Sequence, residues 1–226
     1  MPHRTMRVAL ILCAATAAVL PARAQEVAPT FISPDAVRLD PRPSLDERVR
    51  NWWQAPARQR AIPLRVTLRA IDWTASPGVV VVPPLVWGAA AAADAPATER
   101  VARRTTEAVL LGAATTGLLK VAFGRARPSV SPRSDDWATW RGASGGGWQA
   151  FPSGHTTVAF AAAATWIAES RGAAPVALGA AGFATGAGLA RMYFNKHWLT
   201  DVLAGAAVGT LSALTVQALH RGGGGR

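Results

Sequence analysis

Cysteine is almost missing from this 226-residue chain, Cys13 being the single example. Cys13 lies in an N-terminal leader, so the mature chain is expected to hold neither a disulfide nor a thiolate. Lysine is nearly as scarce. Lys120 and Lys196 are the only two, which leaves arginine to carry the net charge of +11. The acidic residues number 13 and do not cluster, while His3 falls in the leader and His220 near the end. No metal site and no other cofactor is expected from such a set. A basic balance points to nucleic acid, anionic lipid or a phosphorylated substrate. Basic helices and aromatic-basic modules are lacking, so nucleic acid is not an expected partner.

Half of the residues are hydrophobic, enough to bury a large core. The N-terminus reads as a secretory signal over residues 1–24. Arg4 and Arg7 precede an apolar run, and Ala22 to Ala24 form a small-x-small cleavage site. An uncleaved anchor is the alternative, although the run is short for a span. Proline-punctuated residues 25–43 suggest an extended linker. Ser44 and Glu47 then stand in capping-box spacing, which predicts a short helix. Its tryptophans, Trp52 and Trp53, suit either a membrane interface or packing on the domain. Residues 25–60 are therefore a linker with a short interfacial helix, and residues 61–226 the main domain.

Five apolar segments follow, over about residues 70–93, 99–123, 155–168, 172–190 and 202–219. Pro77, Pro83 and Pro84 are expected to break the first. The fourth and fifth approach spanning length, and their pairs Gly182/Gly186 and Gly205/Gly209 have the spacing of close helix contacts in lipid. If Gln25 is delivered outside, alternation puts Arg100, Arg103, Arg104, Arg171 and the basic tail inside, in accord with the positive-inside rule. The arginine-rich connection between segments two and three would lie outside, against that rule. A need for positive charge there would explain it. The expected fold class is all-α: a bundle of about five core helices integral to a membrane, with a soluble periplasmic bundle as the alternative.

Polar residues gather at segment ends. His197 and Asp201, four apart, would share one helix face, so that Asp201 accepts a hydrogen bond from one ring nitrogen and leaves the other free. Ser153 stands where an N-cap would open segment three, placing its hydroxyl and the Gly154 amide at a helix N-terminus suited to an anion. Arg125, Arg133 and Arg141 have no motif to support them and read as solvated loop charges.

Lys120-x6-Arg127-Pro128, then Pro152-Ser153-Gly154-His155, then Arg191-x5-His197-x3-Asp201 resembles the phosphatidic acid phosphatase type 2 superfamily, which includes bacterial acid phosphatases and vanadium haloperoxidases. The serine that precedes the last arginine in the family pattern is Ala190 here. The resemblance spans residues 120–201, and the expected topology brings its three pieces to one, periplasmic, face. It implies that His197 is a nucleophile forming a phosphohistidine, that Asp201 orients it, and that His155 protonates the leaving oxygen. Lys120, Arg127 and Arg191, with Ser153 and Gly154, would bind the phosphate. The expected protein is a metal-independent phosphatase of a lipid phosphate or diphosphate in the bacterial inner membrane, its site facing the periplasm. A soluble broad-specificity acid phosphatase, a vanadium haloperoxidase and a non-catalytic lipid-phosphate binder are the rivals.

Overall fold

The computed structural model describes residues 42–222; the expected leader and nearly all of the linker after it lie outside them. The described residues are helical, joined by loops, with an isolated antiparallel bridge between Arg125 and Trp137. Residues 44–222 pack as one unit.

Helix α1, Leu45–Gln54, begins with the expected capping box: Glu47 N–H donates to Ser44 Oγ at 3.2 Å, and Ser44 N–H to the Glu47 carboxylate at 3.0 Å. The two tryptophans divide. Trp53 is buried with Leu68, Met192 and Tyr193, whereas Trp52 is exposed beneath the Arg58 guanidinium, 3.8 Å from its ring centroid. After a short α2, Pro56–Gln59, the chain enters α3, Ile62–Trp73. A π turn, Thr74–Gly78, leads without a break into α4, Val79–Ala92.

That continuity corrects the first apolar segment, which starts earlier than expected and runs through all three prolines. Pro77 falls inside the widened π turn, where a missing N–H and the bulk of the ring are more easily absorbed. Pro83 and Pro84 are adjacent, so their lost donors fall in one turn, a defect tolerated in apolar helices. The other segments agree with the sequence within a few residues: α5, Pro96–Phe123; α6, Gly154–Glu169; α7, Ala174–Tyr193; α8, Leu199–Gly222. Among the described residues three helical stretches are long and apolar enough to cross a membrane, Ile62–Ala92, Pro96–Phe123 and Leu199–Arg221. The fourth expected segment, now α7, is not one of them, because its glycines and Arg191 lower its hydropathy.

Packing runs opposite to that of a water-soluble bundle. Ala108, Ala159, Ala161, Ala162, Ala184 and Ala187 are buried, while Leu85, Leu118, Leu178, Leu211 and Leu219 point outward. In water the large apolar side chains would be inside; helices in lipid instead use small residues for contact and turn large ones to the acyl chains. Helix α6 lies at the centre, against α5, α7 and α8. A Cβ on Gly205 would come 2.6 Å from the Ser153 carbonyl, and one on Gly209 would strike Thr157 O with Ala161 N at 2.9 Å. Of the expected pair in α7, a Cβ on Gly186 would come 3.1 Å from Ile71 whereas Gly182 has nothing within 4 Å; Gly188 makes a further close contact, with Val202 2.7 Å away.

Gly209→Ala is therefore expected to destabilise by about 1–3 kcal/mol through overpacking. Gly182→Ala should be neutral or stabilise by up to about 1 kcal/mol. Thermal midpoints of the two variants in detergent would check this, and a lower midpoint for Gly182→Ala than for Gly209→Ala would contradict it. At the end of the bundle formed by the start of α5 and the ends of α6 and α8, Glu169 accepts from Arg100 at 3.2 Å, Arg104 at 2.6 Å and Gln217 at 2.8 Å.

Candidate active site

The end of α5, the start of α6 and the turn between α7 and α8 meet, as the expected topology required. Lys120 Nζ donates to Gln149 O at 2.5 Å, and Ser153 N–H donates to Asp201 O at 2.9 Å. The loop from Gly124 to Ser153 is folded by its own backbone. Ala126 N–H bonds Asp136 O at 2.9 Å, Arg127 N–H bonds Gly147 O at 2.9 Å, and Ala150 N–H bonds Arg125 O at 3.0 Å. Gly124 closes α5 at φ 54°, in the left-handed region, and a side chain there would collide with Ala138 O.

His197 precedes α8 rather than lying on it. The carbonyl of Arg191 accepts from both Lys196 N–H and His197 N–H, at 3.0 and 3.3 Å, and Asn195 turns the chain at φ 56°. The imidazole is buried, and its Nδ1 is 2.7 Å from the carbonyl of Ala150. A carbonyl only accepts, so Nδ1 carries the hydrogen and Nε2 keeps a free lone pair. This corrects the expected pairing. Asp201 Oδ2 is 3.7 Å from Nδ1, too far for a hydrogen bond, and takes the Trp198 N–H at 2.8 Å instead. With His197 off the helix, the four-residue spacing no longer stacks the two side chains, and the backbone of the loop has taken the place of the carboxylate. Asp201 remains close enough to act on the ring by its charge.

Cations collect around His197. Burial first, then the charges of Lys120, Arg127 and Arg191, hold His197 well below the ordinary imidazole range, while the Ala150 carbonyl works the other way. The ring is therefore neutral at pH 7. Burial and the neighbouring Arg191 pull Arg127 down to about 10, against the pull of Asp201, which leaves it a cation at neutral pH. The Nε atoms of Arg127 and Arg191 are buried without a hydrogen-bond partner. A buried, unpaired guanidinium N–H is costly, and an anion seated between the two arginines would remove that cost. Arg191 is braced from behind, its Nη1 donating to both oxygens of Asp72 at 2.8 and 3.0 Å.

His155 stands in the first turn of α6, half-buried among the charges of Arg191, Asp72, Arg127 and Lys120. Ser153 is the N-cap by position, but its hydroxyl caps no backbone N–H; it accepts from Thr156 Oγ1 at 2.9 Å and is fully buried. A Cβ on Gly154 would lie 3.7 Å from Lys120 Cε, so the bare backbone of the helix N-terminus faces the lysine.

All eight expected site residues thus belong to one neighbourhood. Two others escaped the sequence. Asp72 left a signal, being a single acid in a long apolar helix. Arg125 left none, and its reading as a solvated loop charge is corrected: it is 3% exposed, with its guanidinium 4.7 Å from the Trp137 ring centroid and 2.5 Å from Asp201 Oδ1. Arg133 is exposed and pairs with Asp135, as a loop charge would. Among the described residues no three His, Cys, Asp or Glu side chains are grouped to hold a metal.

A sequence model described as the PAP2 superfamily matches residues 104–222. The lipid A 1-phosphatase of Porphyromonas gingivalis is 36% identical over 94 residues, which are 41% of this chain and 18% of that protein. The chain thus matches less than a fifth of that relative's length. The crystal structure of LpxE from Aquifex aeolicus superposes with a TM-score of 0.59 at 20% identity, covering 77% of this chain and 96% of that one. The transmembrane PAP2 type phosphatidylglycerolphosphate phosphatase from Bacillus subtilis gives 0.53 at 17% identity, covering 96% and 95%. At these identities the two structures speak for the fold alone.

Proposed function

The chain belongs to the PAP2 superfamily, and from that premise we propose that it hydrolyses the phosphate of a lipid phosphate or lipid diphosphate through a phosphohistidine on His197. One observation carries this reading: Nδ1–H of His197 is committed to Ala150 O, so a neutral Nε2 is left free among Lys120, Arg127 and Arg191. A non-catalytic binder of phosphate has no use for a desolvated, deprotonated imidazole among its cations.

The steps follow from the chemistry. Nε2 attacks phosphorus, the N–P bond forms, and the bond to the leaving oxygen breaks as His155 gives that oxygen a proton. Water then attacks phosphorus, His155 takes a proton from it, and the N–P bond breaks to release inorganic phosphate. Lys120, Arg127, Arg191 and the Gly154 amide hold the non-bridging oxygens, since phosphoryl transfer depends mainly on positioning and charge stabilisation. The charge of Asp201 offsets the cation formed on the ring. Ser153 supports the turn from which Gly154 projects.

The exposed leucines and three spanning-length helices support membrane integration, which makes a lipid the natural carrier of the phosphate. The name of the Porphyromonas gingivalis relative puts lipid A first among candidates. Phosphate release by the purified chain from lipid A, phosphatidate, phosphatidylglycerol phosphate and undecaprenyl diphosphate tests the reading. No release from any of them would refute it.

We place the site on the periplasmic face of the inner membrane. Arg100, Arg104 and Glu169 mark the other end of the helices. Reporters fused after Arg171 should behave as cytoplasmic and those near Ser144 as periplasmic. Periplasmic behaviour at both positions would instead mean a soluble bundle.

A further inference from the structure

The guanidinium of Arg125 has no hydrogen left for a substrate. Its Nε donates to Ser134 O at 2.9 Å, and Nη2 donates to the same carbonyl at 2.5 Å and to Asp46 Oδ2 at 2.7 Å. Nη1 donates to Thr200 Oγ1 at 2.7 Å and to Asp201 Oδ1 at 2.5 Å. These bonds use all five N–H groups that an arginine owns. Arg127 and Arg191, each with an unpartnered Nε, are built to receive an anion. Arg125 is built to hold protein.

Holding Asp201 with a cation creates a difficulty. What the carboxylate offers the His197 ring at 3.7 Å is negative charge, and a guanidinium on its other oxygen cancels much of it in a site of low dielectric. Asp46 answers this. It is a buried acid on α1, on the same guanidinium, so the trio of Asp46, Arg125 and Asp201 carries one net negative charge instead of none. Asp46 also accepts from Thr200 N–H at 2.9 Å and from the Thr200 hydroxyl at 2.6 Å, which fastens α1 to the first turn of α8.

We propose that Asp46, acting through Arg125, is a positioning residue of this site: it keeps Asp201 aimed at His197 and offsets the cation that holds Asp201, so that the trio as a whole is negative toward the ring. Helix α1 is then part of the electrostatics of the reaction. The proposal rests on the phosphatase reading for its kinetic arm, but two anions test it without turnover. Orthovanadate bonds to the imidazole nitrogen and so draws positive charge onto the ring, while inorganic phosphate only occupies the cations.

Binding of both anions to the full chain in detergent would be compared for wild type, Asp46→Asn and Asp46→Glu. Asp46→Asn is expected to weaken vanadate by roughly 10- to 100-fold and phosphate by less than about twofold. It should lower kcat on a lipid phosphate by a similar factor with little change in KM, and Asp46→Glu should recover most of the loss. Thr200→Val, which removes a tie but no charge, should lower Tm without altering the ratio of the two affinities. Equal effects of Asp46→Asn on both anions, or none on either, would overturn the proposal, as would a changed ratio in Thr200→Val. A wild type that binds vanadate but hydrolyses no lipid phosphate would refute the phosphatase reading, with the anion ratio still judging Asp46. A wild type that binds neither anion would remove both.

Discussion

Replacing His197 with alanine is expected to lower kcat/KM by at least about 1,000-fold on every substrate while the protein stays folded. The imidazole is buried, so its loss leaves a cavity, but its one hydrogen bond goes to a main-chain carbonyl that is also part of a self-supporting loop. Lys120, Arg127 and Arg191 act as donors to the phosphate, and His155 is committed to proton transfer at the leaving oxygen, so none of them is placed to take over the attack. The nucleophilic form is the neutral ring. Because burial and those cations hold the ring's titration well below the usual value of about 6.5, protonation of the nucleophile should cost no kcat/KM as pH falls through 6.5 and should lower it only at more acidic pH. The need for a protonated His155 acts the other way and raises kcat/KM as pH falls. Turnover by His197→Ala above about 1% of wild type, with an unchanged thermal midpoint, would strip His197 of its role.

The second large effect concerns His155, and leaving-group chemistry isolates it. A proton donor matters most when the departing oxygen is a poor leaving group, as an alkoxide is, and little when it is already stable as an anion, as nitrophenolate is. Positioned acids contribute about 100- to 10,000-fold. His155→Ala should lose about that factor in kcat/KM on a lipid monophosphate and much less on an aryl phosphate, with a lipid diphosphate between them. Lys120→Ala should slow all three alike, because it acts on the transferred group itself. An equal loss on alkyl and aryl esters in His155→Ala would reassign His155 to binding the phosphate.

Much of this arrangement is legible in the sequence, and the reasons differ from one element to the next. The helices of residues 96–222 are readable because long apolar runs end at polar punctuation: Pro96, Gly124, Ser153 and the cluster from Arg191 to His197. The capping box at Ser44 is readable because it is local, complete within four residues. The prolines of residues 77–84 mislead, since their effect depends on what surrounds the helix and not on the residues themselves. The partner of His197 is hidden because it is a carbonyl, and every residue has one. Asp46 and Arg125 are hidden for another reason. An acid in the first turn of a helix has a sufficient local explanation, and nothing in a single chain says that it reaches across 79 residues to an arginine.

Helices α6 and α8 touch backbone to backbone, with Ser153 N–H on Asp201 O and Gly205 set against the Ser153 carbonyl. His155 and the segment bearing His197 are thereby mounted on a single chassis whose spacing no side-chain rearrangement can alter. In the proposed mechanism attack and protonation occur on opposite sides of one phosphorus atom, whose size is the same in every phosphate ester. What varies between esters is the group beyond it. On that reading the variation would fall to the loop from Gly124 to Ser153, which lies outside the paired helices. Substrate range can change there, by exchange of loop residues, with the distance between the two histidines left as it is.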